Sequence, residues 1–275
     1  MSEVKTSAIA AFAEQLRAWR VHIGWSQTEL AEKINYSNSL ISGIENQQKT
    51  PTADFAAKLD EVFKTPGTFA ALQRLIAREA LPAYFAPVIT YESEATAIHL
   101  WELRAVPGLL QTEDYARAVI TAGQPRLNPA ELDQKVTERI NRQQILHRES
   151  GQPMLWAVIS EGVLRHIVGS RQIMRAQLNR LIDAATLPDV IVQVLPYSAH
   201  DHPGTDGPVS VFDFDGKPSV AYTECNGGGM IAESAAPVSA LMTTINLIRA
   251  AALSPRESLD RLRQIRDEYL DDHMA

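Results

Sequence analysis

The sequence predicts an all-α domain of five helices over residues 1–80, a linker over 81–90, and an α+β domain, a mixed sheet with helices, over 91–275. Three observations carry this division. Apolar residues recur at helical spacing through the first eighty positions, with capping residues between the runs. Two prolines, Pro82 and Pro87, then interrupt the helical pattern. Beyond them, β-branched or alternating runs such as 190–195 and 219–225 are interspersed with helical ones.

In the first helix, over 8–22, Ile9, Phe12, Leu16, Trp19 and Ile23 recur on one face, and Trp19 reads as core. Ser26-Gln27-Thr28-Glu29 is a capping box, in which the Ser26 hydroxyl and the Glu29 carboxylate satisfy reciprocal amides. The helix it opens turns Leu30, Ala31 and Ile34 inward and ends at Asn35, a residue type that tolerates a left-handed backbone. A third helix starts at Ser37 as N-cap, with Tyr36 placed to staple onto Ile41. Leu40, Ile41 and Ile44 face inward, which leaves Asn38, Ser39, Ser42, Gly43 and Asn46 outside. Such a face is short and polar, as a surface entering a DNA major groove needs to be. Thr50-Pro51-Thr52 stops one helix and caps a fourth, marked by Phe55, Leu59 and Val62. Thr65-Pro66 caps a fifth, with Phe69, Leu72 and Ile76 inward, ending near Arg78.

This stretch resembles the phage-repressor type of helix-turn-helix, also called the xenobiotic-response-element (XRE) family. The shared features are Gln27 opening the first motif helix, Ile41-Ser42-Gly43-Ile44-Glu45 in the second, and small Ala31 at the helix crossing. The resemblance implies double-stranded DNA as partner and an ion pair between Arg20 and Glu45. It places Asn38 and Ser39 at base edges, where Asn bonds adenine N6 and N7 together. Gly43 matches a third reading position but brings no side chain. Gln27, Ser42, Asn46 and Lys49 are assigned to phosphate and sugar, Gln27 also supporting Asn38.

A net charge of −7 seems to oppose nucleic acid. Residues 1–79, however, hold nine Lys/Arg and nine Asp/Glu, so the deficit lies in the remainder. A neutral reader relies on helix N-termini and backbone amides for phosphates. It also favours a homodimer on a palindromic operator over a lone copy. No apolar run approaches the roughly 20 residues needed to span a bilayer, and the N-terminus lacks a signal peptide's order, so no membrane is expected. A single cysteine, Cys225, fits a reducing cytoplasm.

In the second domain, residues 91–101 read equally as a helix or as a helix-to-strand joint, and 101–106 alternate towards a strand. Pro107 starts a turn into a helix capped at Thr112, with acidic residues in its first turn. Asn128 caps a long helix from 129 to about 148. Strands are predicted over 154–159 and 190–195 with a helix over 170–185 between them, a pattern compatible with a βαβ crossover. Strands 209–214 and 219–225 are joined by Asp215-Gly216, a hairpin signal. Residues 226–229 make another turn before a short strand at 230–232. Helices over 235–252 and 255–270, the latter capped by Ser254, close the chain.

Together, VPGLLQTEDYA (106–116), Arg139 with Arg142-Gln143, ISEGVLR (159–165), Gln177-Leu178, VQVLP (192–196), YTE (222–224) and ALSPRES (252–258) resemble one domain of unknown function. It follows the helix-turn-helix in many actinobacterial regulators and is sometimes labelled antitoxin-like. The resemblance implies transcriptional regulation, often beside a gene for a small partner protein, and supplies neither ligand nor catalytic residue. Gly162 departs from its usual pattern.

Glu161, Tyr222, Glu224 and His200 are the candidate ligand-pocket residues. Glu161 and Glu224 could line one pocket as paired catalytic carboxylates, yet binding a cationic or polyhydroxyl ligand, or simply pairing with Arg104 or Arg165, is more economical. The loop bearing His200, Asp201, His202 and Asp206 invites a metal, but adjacent loop residues rarely close a first shell, so none is expected. No basic neighbour in sequence activates Cys225. Trp101, Trp156 and Tyr222 read as core or pocket wall. Catalytic motifs are missing, with no Gly-x-Ser-x-Gly, His-Glu-x-x-His or phosphate loop, so neither enzyme activity nor a cofactor is expected. The expected function is sequence-specific transcriptional regulation, with a small-molecule or protein signal received by the second domain. The alternative is an antitoxin-like module that binds a small partner protein.

Overall fold

The computed structural model describes residues 8–79, 85–148, 150–225 and 228–269. The first seven residues, the linker stretch 81–84, the Asn226-Gly227 turn and Leu270 lie outside them. The chain divides into two compact units at Ala86/Pro87.

The first unit is five helices: α1 (Ala8–Ile23), α2 (Gln27–Ile34), α3 (Asn38–Glu45), α4 (Ala53–Phe63) and α5 (Thr68–Glu79). Its core is aromatic. The Phe12 ring meets Phe69 edge-on at 5.4 Å, and Phe63 is stacked with Trp19 at 6.0 Å and with Trp25 at 5.9 Å. Leu16, Leu30, Ile41, Ile44 and Leu59 are fully buried around them. Tyr36 packs edge-on against Phe55 at 5.2 Å and donates its hydroxyl to Asp54 at 2.7 Å.

The start of α5 corrects the expectation of a Thr65-Pro66 cap. Asp60, near the end of α4, accepts from the Phe69 and Ala70 amides at 2.9 Å each and from the Thr65 hydroxyl. A carboxylate on first-turn amides satisfies groups that have no intrahelical partner and meets the positive end of the helix dipole. Asp60→Ala is expected to lower stability by about 1–2 kcal/mol. Thermal unfolding checks this; an unchanged midpoint would assign the capping elsewhere.

The second unit has the order α6 (Ala86–Glu94), β1 (Ala97–Glu102), α7 (Glu113–Gly123), α8 (Pro129–Arg142), β2 (Met154–Ser160), α9 (Glu161–Arg165), α10 (Arg171–Ala184), β3 (Val190–Leu195), β4 (Val209–Asp213), β5 (Val220–Cys225), β6 (Gly228–Ala232), α11 (Ala235–Ala251) and α12 (Pro255–Glu268). Short 3-10 turns at Gly108–Leu110 and Gln143–His147 precede α7 and follow α8. The six strands form one sheet in the order β3-β2-β1-β4-β5-β6. β1, β2 and β3 are parallel, while β4, β5 and β6 are antiparallel to their neighbours. The β2–α10–β3 segment is thus a βαβ crossover. Trp101, Val158, Val211 and Ala221 pack on one side of the sheet with Val238, Ile245 and Ile248 of α11. Among the described residues no single helix is long and apolar enough to cross a membrane.

Two boundaries differ from the expectation. Part of the proposed linker is helix α6, which carries Pro87 in its first turn, where its missing N–H forgoes no intrahelical hydrogen bond. The strand expected over 101–106 lies earlier, at Ala97–Glu102, so residues 91–102 are a helix-to-strand joint. Ile98, His99, Leu100 and Trp101 are buried in succession because both sheet faces are covered there, and such a strand shows no alternation.

Candidate nucleic-acid interface

Local capping chemistry sets the helix-turn-helix. The Glu29 amide donates to Ser26 Oγ at 3.1 Å and the Ser26 amide to Glu29 Oε2 at 2.7 Å, closing the capping box. Asn35 ends α2 in the left-handed region at φ 56°. Ser37 then caps α3 by accepting from the Leu40 amide at 3.2 Å. Ile41 and Ile44 are buried beneath α3, and Asn38, Ser39 and Asn46 are exposed on its outside.

The far end of α3 is braced by a buried carboxylate. Arg20 Nε and Nη2 donate to Glu45 Oε1 and Oε2 at 2.6 and 2.9 Å, and Arg20 Nη1 donates to the Trp25 carbonyl at 2.9 Å. This is the ion pair that the family resemblance implies. Burial pushes the Glu45 carboxyl up, but the Arg20 fork, the Gln27 amide and the Arg17 charge outweigh it and hold the group below its ordinary value.

Two expectations on this surface are corrected. Gln27 does not support Asn38; its Nε2 donates to Glu45 Oε2 at 2.8 Å, because the first turn of α2 lies against the end of α3. Gly43 is not on the open face. It is buried, and a Cβ there would come within 2.8–2.9 Å of Lys49 Cδ and Cγ. Its carbonyl accepts from the Gln48 and Lys49 amides at 2.7 and 3.1 Å, a fold-back made through Gln47 at φ 60°. The Lys49 stem therefore crosses α3 over Gly43, and its ammonium donates to Ser39 Oγ at 3.4 Å. The glycine makes room for a cation beside the first turn of α3.

Ser42 is half-buried and accepts from Asn46 Nδ2 at 3.4 Å. Arg17, which the sequence reading left out, reaches both Asn46 Oδ1 and Glu45 Oε2 at 3.5 Å. Its three-residue spacing from Arg20 put both on one side of α1, the only signal available. The outward groups of this surface are Asn38, Ser39, Asn46, Lys49 and Arg17: two amides, a hydroxyl and two cations.

The candidate pocket residues of the second unit do not converge. Glu161 is buried and fully engaged, accepting from Arg165 and Arg261 at 2.8 Å each and from the Tyr197 amide at 3.2 Å. Glu224 pairs with Arg104 at 3.3 Å. Both carboxylates stand at the same end of the sheet, but β1 and β4 separate their strands, three inter-strand steps or about 14 Å. Of the two economical readings, pairing with arginine is the one that these contacts show. Tyr222 is buried against Gly229, and His200 is exposed on its loop. Trp101 donates Nε1–H to the Gly204 carbonyl at 3.0 Å within the core.

Two acid–base features were not legible beforehand. His99 on β1 is buried, its Nδ1 accepting from Arg249 at 2.6 Å and its Nε2 lying 2.8 Å from Asp213. Burial, aided by the Arg249 charge, outweighs Asp213 and holds the imidazole below its ordinary value. Arg249 also stacks on Trp156, 4.0 Å from the ring centroid. Near Glu224, burial pushes the Glu102 carboxyl up to about 8, opposed by Arg104 and reinforced by Glu224. A carboxyl whose folded value exceeds the ordinary 4.5 contributes stability below that pH and loses it as pH rises through about 8. Glu102→Gln is therefore expected to be more stable than the wild type above pH 8, with the difference shrinking towards pH 5. Melts across that range check it, and a constant difference would contradict the assignment.

A family model described as a helix-turn-helix matches residues 16–69, and one described as a domain of unknown function, DUF5753, matches residues 85–264. No curated protein and no solved structure matches the chain.

Proposed function

The chain belongs to the DUF5753 family and carries an XRE-type helix-turn-helix, which makes it a DNA-binding transcription regulator; we propose that it acts as a cytoplasmic homodimer on a palindromic operator, with the second unit receiving a small-molecule or protein signal. The observation that carries this reading is the construction of α3. Its far end is anchored through buried Glu45, while Asn38, Ser39 and the Lys49 ammonium stand together at the near end. An anchored helix with small polar side chains at its start presents base-reading groups in a fixed register. Residues 1–79 bring no net charge, so one copy gains little from counterion release, and two copies on linked half-sites supply what one lacks. The signal acts, in this reading, by changing the separation of the two recognition helices.

The test is a titration of the full chain against a duplex from upstream of its own gene and against the same duplex with its sequence shuffled, over a range of salt. The reading expects tighter binding to the natural duplex and an affinity that falls linearly with log salt. Equal binding to both would sink the claim of sequence specificity.

A further inference from the structure

A sheet has two edges, and this chain treats them differently. The β3 edge is closed from within. The Leu253 amide donates to the Val194 carbonyl at 2.9 Å, the Val194 amide donates to Ser258 Oγ at 2.9 Å, and α12 lies along the strand. At the other edge, β6 pairs with β5 alone, and no described strand lies beyond it. Its sequence, Gly-Gly-Met-Ile-Ala, carries none of the usual guards of a free edge: no lysine, no proline, no charge. Met230, at the middle of the strand, is 63% exposed.

The helix that follows extends this character. Arg249 is the one charged residue of α11, and it is turned onto Trp156 and His99 of the sheet. The outward positions Ala236, Ser239, Ala240, Thr243 and Leu247 are exposed and uncharged.

From the open, unguarded β6 edge, we propose that β6 is where two copies of this chain meet, by antiparallel pairing with β6 of a second copy. The inference rests on the dimer reading above and says where the copies join. Three features select a second copy as the occupant. A chain with net charge −7 repels its own kind least where it brings no charge to the contact, and the β6 residues bring none. A partner recognised by charge would find nothing on the strand itself to answer it; Glu233, just beyond the strand end, accepts from the Tyr91 hydroxyl at 3.0 Å. An antiparallel strand edge is also self-complementary about a two-fold axis, the isologous arrangement of most homodimers. With the axis at Met230, Gly228 of one copy lies opposite Ala232 of the other. The two Met230 Cα atoms are then about 4.5–5.5 Å apart, and the two sheets become one.

The experiment joins sedimentation velocity to cross-linking. Met230→Lys places a guard charge on the edge. Met230→Cys in a Cys225→Ser background brings two thiols within disulfide reach across the axis, since bridged Cα atoms lie about 4.4–6.8 Å apart. Ile167→Cys in the same background, at an exposed apolar position after α9, is the control. The expected result is a wild-type dimer, a Met230→Lys protein that dissociates about tenfold or more readily, and a covalent dimer from Met230→Cys but not from the control. If the wild type is dimeric while Met230→Cys stays unlinked, the copies meet elsewhere and the edge assignment is overturned, the dimer reading surviving. A wild type that stays monomeric at micromolar concentrations, with and without DNA, overturns both and leaves the edge to a partner's extended segment. Should Met230→Lys fail to fold, the cysteine variant decides alone.

Discussion

Arg20→Ala is expected to lower the stability of the first unit by about 3 kcal/mol or more and to abolish DNA binding. The Glu45 side chain is 0% exposed and that of Arg20 13%. Removing one partner of such a pair strands a charge away from water, which typically costs about 3–5 kcal/mol. Gln27 and Arg17 remain on Glu45, so the lower part of that range applies. For a domain of this size each kcal/mol moves the midpoint by about 4–8 °C, so the first thermal transition is expected to fall by about 12 °C or more. Glu45→Gln is expected to be milder, because the isosteric amide keeps one oxygen to accept from the Arg20 guanidinium. The Glu45 carboxyl is held below its ordinary value, so its stabilisation is present above that value and lost as pH falls through the folded one. Calorimetry of the full chain checks these points. An Arg20→Ala protein with an unshifted first transition would show that the pair is a surface contact of no consequence.

The second large effect is a contrast between two neighbouring residues. Asn38 is exposed in the first turn of α3, and Lys49 holds its charge close by over Ser39. Asn38→Ala is expected to cost about 1–3 kcal/mol of discrimination at one base pair in each half-site, leaving binding to altered sites almost unchanged. Lys49→Ala is expected to weaken binding to all sequences alike and to reduce the salt slope by about 1. Competition titrations with single-base variants separate the two. If Asn38→Ala weakens every site equally and Lys49→Ala changes base preference, the two roles have been assigned the wrong way round.

What the sequence made legible follows how local the cause is. Ser26, Ser37, Thr52, Thr112, Asn128 and Ser254 all cap the helices that they open, because a cap is decided within three or four residues. The Asp215-Gly216 hairpin and the βαβ crossover were readable for similar reasons. Asp60 capping α5 and Gln27 on Glu45 were not, since each joins elements whose packing angle no local pattern encodes. The same holds for the Arg249–His99 contact, which joins residues 150 positions apart. β1 was displaced in the reading because burial on both sides removes the period of two. Gly43 misled for a different reason: a glycine on a helix exterior looks open, and only the return of Lys49 across it shows otherwise. Glu161 and Glu224 follow or sit in apolar strands that could line one pocket, but the strand order that separates them is a property of the whole sheet.

The central claim, a paired reader of DNA built on α3, is tested most directly by selection from a pool of random duplexes with the purified full chain. The account predicts enrichment of one palindromic sequence whose half-sites are spaced by whole helical turns, about 10 base pairs or a multiple. It further predicts that Asn38→Ala loses preference at one symmetric pair of positions. A pool that stays random, or a selected sequence without two-fold symmetry that Asn38→Ala reads unchanged, would contradict it.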